Sequence, residues 1–244
     1  TVTTTDEGLP TVVSLFAQTS QRNVDLTING TAYNFMPASL RSEEGCADRP
    51  TTPVNLSAIS TAVKATWQAQ PHDGTTLSGY VATGEGDLPE MTITNSGTKL
   101  DSLAYLVTLS TTDGQALCSY TYYIFIHALV GSQSFSTLSP ANGSSLDPVT
   151  TTLQWNAIGD AKEYRLEISE TPEGGEPTEI VNTTTGLLKY DLDVKSGCTY
   201  TWTVTAVGYC DELTSAPQTL QGRLLPDLTV QSITLPEAAQ AGNQ

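Results

Sequence analysis

The strongest constraint on this chain is a period of two. Val24, Leu26 and Ile28 alternate with Asp25 and Thr27, and Leu103, Tyr105, Val107 and Leu109 alternate through residues 102–109. Tyr164, Leu166 and Ile168 alternate with Arg165 and Glu167, and Tyr200, Trp202, Val204 and Ala206 alternate with threonines. An extended backbone sends successive side chains to opposite faces, so each run reads as a half-buried strand. No long segment carries an apolar period of 3.6. Asn29-Gly30 separates Val24–Ile28 from Thr31–Phe35. That is a two-residue hairpin signal, because both positions tolerate positive φ. Asp113-Gly114 separates residues 102–109 from 117–126 in the same way. Many short strands with frequent turns predict an all-β chain of antiparallel sandwiches.

The length of 244 residues accommodates two such modules. Small-residue connectors place boundaries near 131–140 and 222–226. The expected division is therefore 1–130, 131–222 and a short remainder, 223–244. Forty-five residues are too few for an independent core, so residues 1–45 are expected to add strands to the first module or to be the tail of a module upstream. Ten Lys and Arg against 26 Asp and Glu give a net charge of −16. Such a chain lacks the clustered cations that nucleic acid or anionic lipid would require. No apolar run of ~18 residues occurs, so no transmembrane helix is predicted.

Residues 137–222 resemble a fibronectin type III domain, in the divergent form of secreted bacterial proteins. Trp155 in Thr151-Thr152-Leu153-Gln154-Trp155 sits where that family places its core tryptophan, and Tyr164 follows on the next strand. The segment Val194-Lys195-Ser196-Gly197-Cys198-Thr199-Tyr200-Thr201-Trp202-Thr203-Val204 matches the family's apolar residue, glycine turn and tyrosine-led strand. Ser196 stands where proline is usual. The resemblance implies an immunoglobulin-like sandwich in which Tyr200 is the corner tyrosine. Residues 46–127 resemble the PKD-like repeats of Bacteroidetes surface proteins through Cys46, Val63–Trp67, Met91–Gly97, Leu103–Thr108 and Cys118, which implies a core role for Trp67. Residues 226–236, Pro-Asp-Leu-Thr-Val-Gln-Ser-Ile-Thr-Leu-Pro, resemble the opening strand of a CARDB module. The expected fold class is thus tandem immunoglobulin-like β-sandwiches, in a slice of a longer modular protein. The expected location is extracellular or at the cell surface.

The PKD-like resemblance implies a disulfide between Cys46 and Cys118. Cys198 and Cys210 lie at the two ends of one expected strand, ~40 Å apart at ~3.3 Å per residue, so no bond between them is expected.

Candidate chemistry is sparse. His72, in Gln70-Pro71-His72-Asp73-Gly74, reads as a solvated loop residue, and His127 ends a strand and reads as structural or interfacial. No nucleophile elbow, phosphate loop or short His/Cys metal spacing occurs. Glu173 and Glu176 lie in an acidic loop and are the calcium candidates, but without an Asp-x-Asp-x-Asp-Gly spacing the loop reads as solvated. Alternation divides 120–127 into Tyr120, Tyr122, Ile124 and Ile126 on one face and Tyr123, Phe125 and His127 on the other. The first set reads as core. The second is covered by residues 1–45, covered by a neighbouring module, or exposed as a ligand patch centred on Tyr123 and Phe125. No cofactor and no catalysis are expected. The expected role is a structural or adhesive segment, acting as spacer and protein-interaction scaffold and monomeric in solution. The alternative is a carbohydrate-binding module. Expected partners are other modules of a longer chain and a surface protein or glycan.

Overall fold

The computed structural model describes residues 42–54, 56 and 63–225, apart from the side chains of Val63 and Cys118. It also describes the backbone of four earlier strands: β1 (Thr3–Thr4), β2 (Pro10–Val12), β3 (Val24–Ile28) and β4 (Thr31–Phe35). β3 pairs antiparallel with β4, with Ile28 opposite Thr31, which is the hairpin predicted around Asn-Gly. The CARDB-like segment 226–244 lies outside the described residues.

The chain divides into two compact units. The first comprises Thr1–Phe135, Ala157–Tyr164 and Thr205–Thr214; the second comprises Ser136–Asn156, Arg165–Val204 and Ser215–Gln244.

In the first unit, β5 (Ser42–Cys46), β6 (Val63–Gln70), β7 (Leu77–Ser78), β8 (Thr83–Glu85), β9 (Thr94–Asn95), β10 (Asp101–Thr111) and β11 (Ala116–His127) follow in order. Five of them form one sheet in the order β5-β11-β10-β6-β8. The β10–β11 hairpin places Leu103 opposite Ile124, Tyr105 opposite Tyr122 and Val107 opposite Tyr120. All six are buried, as the alternation predicts. The facing layer is built from shorter pieces, namely the β7–β9 pair and the bridges Pro50–Thr92 and Val54–Leu88. It contributes Leu56, Leu77, Leu88, Met91 and Ile93 to the shared core. Trp67 lies in that core at 5% exposure and meets Tyr105 edge to face, with ring centroids 5.6 Å apart. Gly84 of β8 leaves room for it, since a Cβ there would fall 2.2 Å from the indole.

The later strands build a second sandwich. They are β12 (Leu138–Ser139), β13 (Ser144–Leu146), β14 (Thr150–Trp155), β15 (Ala161–Thr171), β16 (Thr178–Thr185), β17 (Lys189–Asp193), β18 (Thr199–Gly208), β19 (Glu212–Thr214) and β20 (Gln218–Gly222). One sheet runs β12-β14-β17 and the other β13-β20-β18-β15-β16, with β19 paired to β18. Leu153, Trp155, Leu166, Ile168, Leu192, Trp202 and Val204 are buried between the layers. The fold class is therefore the expected one. Two sheets face each other across a buried layer of alternating residues, and among the described residues there is no α-helix.

Tyr200 occupies the corner expected of it. Its hydroxyl accepts the Lys195 backbone N–H at 2.9 Å and donates to Glu170 Oε2 at 2.9 Å. Glu170 continues the inward alternation of β15 and is 8% exposed. It is compensated by Lys195 Nζ at 2.9 Å. That ammonium, with the Tyr200 hydroxyl, outweighs desolvation and holds the Glu170 carboxyl below its ordinary range. Burial, and then the adjoining carboxylate, push the Tyr200 phenol up to about 12.

Candidate functional site

The cysteines depart from expectation. Cys46 is bonded to Cys210, with Cα atoms 5.7 Å apart, and not to Cys118. Register gives the reason. β5 runs parallel to β11 with Cys46 opposite His127, whereas Cys118 pairs with Leu109 towards the other end of β11. Nine residues of extended strand separate positions 118 and 127, ~30 Å at ~3.3 Å per residue. A disulfide requires Cα atoms within about 7 Å. The segment Thr205–Thr214 of the first unit instead carries Cys210 to the end of β5. Cys198 is buried and free, so the bond excluded between Cys198 and Cys210 is indeed not formed.

Polar contacts surround the disulfide. Arg49 Nη2 donates to the Cys210 carbonyl at 2.6 Å. Asp211 accepts the backbone N–H groups of Val130 and Gly131, each at 2.9 Å. His127 is 5% exposed and lies between two carboxylates, with Nδ1 3.0 Å from Asp160 Oδ2 and Nε2 against Glu44. The Tyr209 ring stacks on its imidazole at 3.9 Å, and Lys162 Nζ sits 5.0 Å over the Tyr209 centroid. His127 is thus structural, as its position at a strand end suggests. The acids and tyrosine that enclose it come from distant parts of the sequence and left no local signal.

His72 is exposed in a turn, and its Nε2 meets Asp101 Oδ1 at 2.6 Å. The Asp101 carboxylate also accepts Thr75 Oγ1, the Thr76 N–H and hydroxyl, and the Ser102 N–H. Partial burial opposes ionisation of Asp101. The bonds from His72, Thr76 and Ser102 win, and hold its carboxyl well below the usual range. The same contact with Asp101, aided by the Asp73 carbonyl, raises the His72 pKa. A raised pKa in the fold means that the contribution of His72 is complete below its unfolded value of about 6.5. It is lost as pH rises through the higher folded value. Asp101 stays ionised throughout that window. The stability gap between the wild type and His72→Ala should therefore be largest near about pH 5.5 and shrink towards pH 8. Urea unfolding across that range measures it, and a gap that widens with pH would remove the pair as its cause.

Glu173 and Glu176 lie exposed at a turn closed by the Gly175 N–H to the Pro172 carbonyl. Among the described residues no group of three or more His, Cys, Asp or Glu side chains converges as metal ligands, so these two glutamates join no such cluster. Glu43 was not legible as a special residue, because Ser42-Glu43-Glu44-Gly45-Cys46 has no apolar alternation. Its Oε1 is buried without a hydrogen-bond partner, and burial pushes its carboxyl up.

The core set Tyr120, Tyr122, Ile124 and Ile126 is buried as expected. On the opposite face Tyr123 is 44% exposed, and its ring stacks with Phe125 at 6.1 Å and 22°. On the same outer face, across β10, β6 and β8, lies an open groove of about 500 Å³ lined by Thr66, Trp67, Gln68, Thr83, Gly84, Glu85, Leu106 and Thr108.

No family model matches this chain, and no curated protein matches it. Solved structures similar to it include the FN1–FN3 domains of chicken CNTN1 (12% identity, 74% of this chain covered, TM-score 0.28). This chain spans 65% of that one. The fibronectin(III)-like modules of Clostridium thermocellum CbhA are 13% identical, with 77% of this chain and 91% of that chain covered and a TM-score of 0.28. A two-domain fibronectin type III segment of chicken tenascin is 17% identical, with 70% and 94% covered and a TM-score of 0.27. The assignment of tandem β-sandwiches rests on the strand order and register of the chain itself.

Proposed function

We propose that this chain is a non-catalytic structural or adhesive segment of a secreted or cell-surface modular bacterial protein, acting as spacer and protein-interaction scaffold. The observation that carries the reading is the Cys46–Cys210 disulfide. Such bonds persist in oxidising compartments and are rare where thiol reductants dominate. The sandwich fold supports the same role, because stacked sheets give each unit a fixed length. The PKD-like, fibronectin type III-like and CARDB-like resemblances and a Bacteroidetes origin belong to this proposal. So does a monomeric state, which the net charge of −16 favours by opposing close approach of copies.

Non-reducing peptide mapping of the protein from its native cells, combined with protease shaving of intact cells, tests the reading. A recovered 46–210 cross-link on protein removed by shaving is expected. Protein found only inside the cell, with both thiols reduced, would overturn it.

A further inference from the structure

We infer that the outer face of the five-stranded sheet in the first unit is a binding site for a neutral oligosaccharide. Register defines the face. In one row Leu106 stands between Thr121 and Gln68, and Gln68 is followed by Thr83. In the next row Thr108 stands between Ser119 and Thr66, and Thr66 is followed by Glu85. Leu106, Thr108, Thr66, Gln68, Thr83 and Glu85 line the groove of about 500 Å³, within the range of small-ligand sites. Tyr123 adjoins it as the diagonal neighbour of Leu106, whose direct partner on β11 is Thr121, and Ala104 stands opposite Tyr123. Alanine there puts no bulk between the aromatic pair and the groove.

The chemistry of this face selects among occupants. The side chains of Gln68, Thr83 and Glu85 are exposed and make no hydrogen bond among the described residues, so an amide, a hydroxyl and a carboxylate are free to engage a ligand. No lysine or arginine lines the groove and Glu85 supplies its one charge, so a phosphate or uronate would meet repulsion. Leu106 is the one apolar side chain on the outer face of the groove, since the Trp67 indole points into the core, too little for the dry centre of a protein interface. A pyranose matches what remains. Its C–H face stacks on an exposed ring such as Tyr123, which Phe125 holds at a fixed tilt. Its rim hydroxyls both donate and accept, which suits a mixed row of amide, hydroxyl and carboxylate.

The test is calorimetric titration of the whole chain with four neutral hexasaccharides (β-1,4-glucan, β-1,4-mannan, β-1,4-xylan and α-1,4-glucan) and with hexagalacturonate. Variants Tyr123→Ala and Gln68→Ala sit at exposed positions, and unchanged melting verifies their folds. At least one neutral hexasaccharide is expected to bind with Kd below ~1 mM, and each variant to weaken it about tenfold or more. Hexagalacturonate is expected not to bind. The proposal falls if no neutral hexasaccharide binds, if binding survives both substitutions, or if hexagalacturonate binds best. It also falls if light scattering finds a dimer that Tyr123→Ala dissolves, since the face would then be a protein interface.

Discussion

Reduction of the Cys46–Cys210 disulfide should destabilise the first unit more than any single side-chain change outside its core. The bond spans a sequence separation of 164 residues. For a loop that long the chain-entropy model gives roughly 5 kcal/mol as an upper figure, because cross-linking removes so many unfolded conformations. The measured value should fall below that figure for a reason visible in the fold. After reduction, segment 205–214 still has the Arg49 bond to the Cys210 carbonyl, the Asp211 carboxylate on the Val130 and Gly131 N–H groups, and the Tyr209–His127 stack. A net hydrogen bond contributes about 1 kcal/mol, so these contacts hold the segment in place without replacing the constraint on the unfolded chain. A loss of about 2–4 kcal/mol is therefore expected, the usual range for a native disulfide. Urea unfolding of the oxidised protein and of the Cys46→Ser, Cys210→Ser double variant measures it. Superimposable curves would show that the cross-link constrains nothing that the folded contacts do not.

The strands that sequence pattern located are those with one apolar face. β10, β11, β15 and β18 each place bulky residues at every second position, and burial follows that alternation almost without exception. The corner role of Tyr200 was readable because a glycine turn and a tyrosine-led strand form a local motif. β5 was not readable. Its sequence Ser-Glu-Glu-Gly-Cys has no apolar alternation, and it is held by parallel pairing to β11, a long-range event that leaves no local pattern. The disulfide was misassigned for the same reason. A family resemblance supplied a partner for Cys46, while the true partner depends on which end of β11 the polar edge strand joins. The groove was equally hidden, since it draws two or three residues from each of three strands distant in sequence, and only Tyr123 and Phe125 announced the face by their position in an aromatic run.

Trp67→Ala should cost about 3–5 kcal/mol, the usual range for removing a large buried aromatic. The indole is almost wholly buried, meets Tyr105 edge to face, and fills the space that Gly84 leaves by having no side chain. Gly84 cannot grow to close the cavity, and its neighbours on β8, Thr83 and Glu85, point outward, so relaxation around the hole is limited. The chain has three tryptophans, and the other two, Trp155 and Trp202, belong to the second unit. In Trp67→Ala, tryptophan fluorescence therefore reports the second unit alone, while far-ultraviolet circular dichroism reports strands of both. The two probes should separate on heating, with the dichroism change beginning at a lower temperature than the fluorescence change. Separation follows if each sandwich is held by its own core, since the cavity then weakens only the unit that contains it. Coincident transitions, both shifted down together, would mean that the loss of Trp67 is felt at Trp155 and Trp202 and that the two units unfold as one cooperative body.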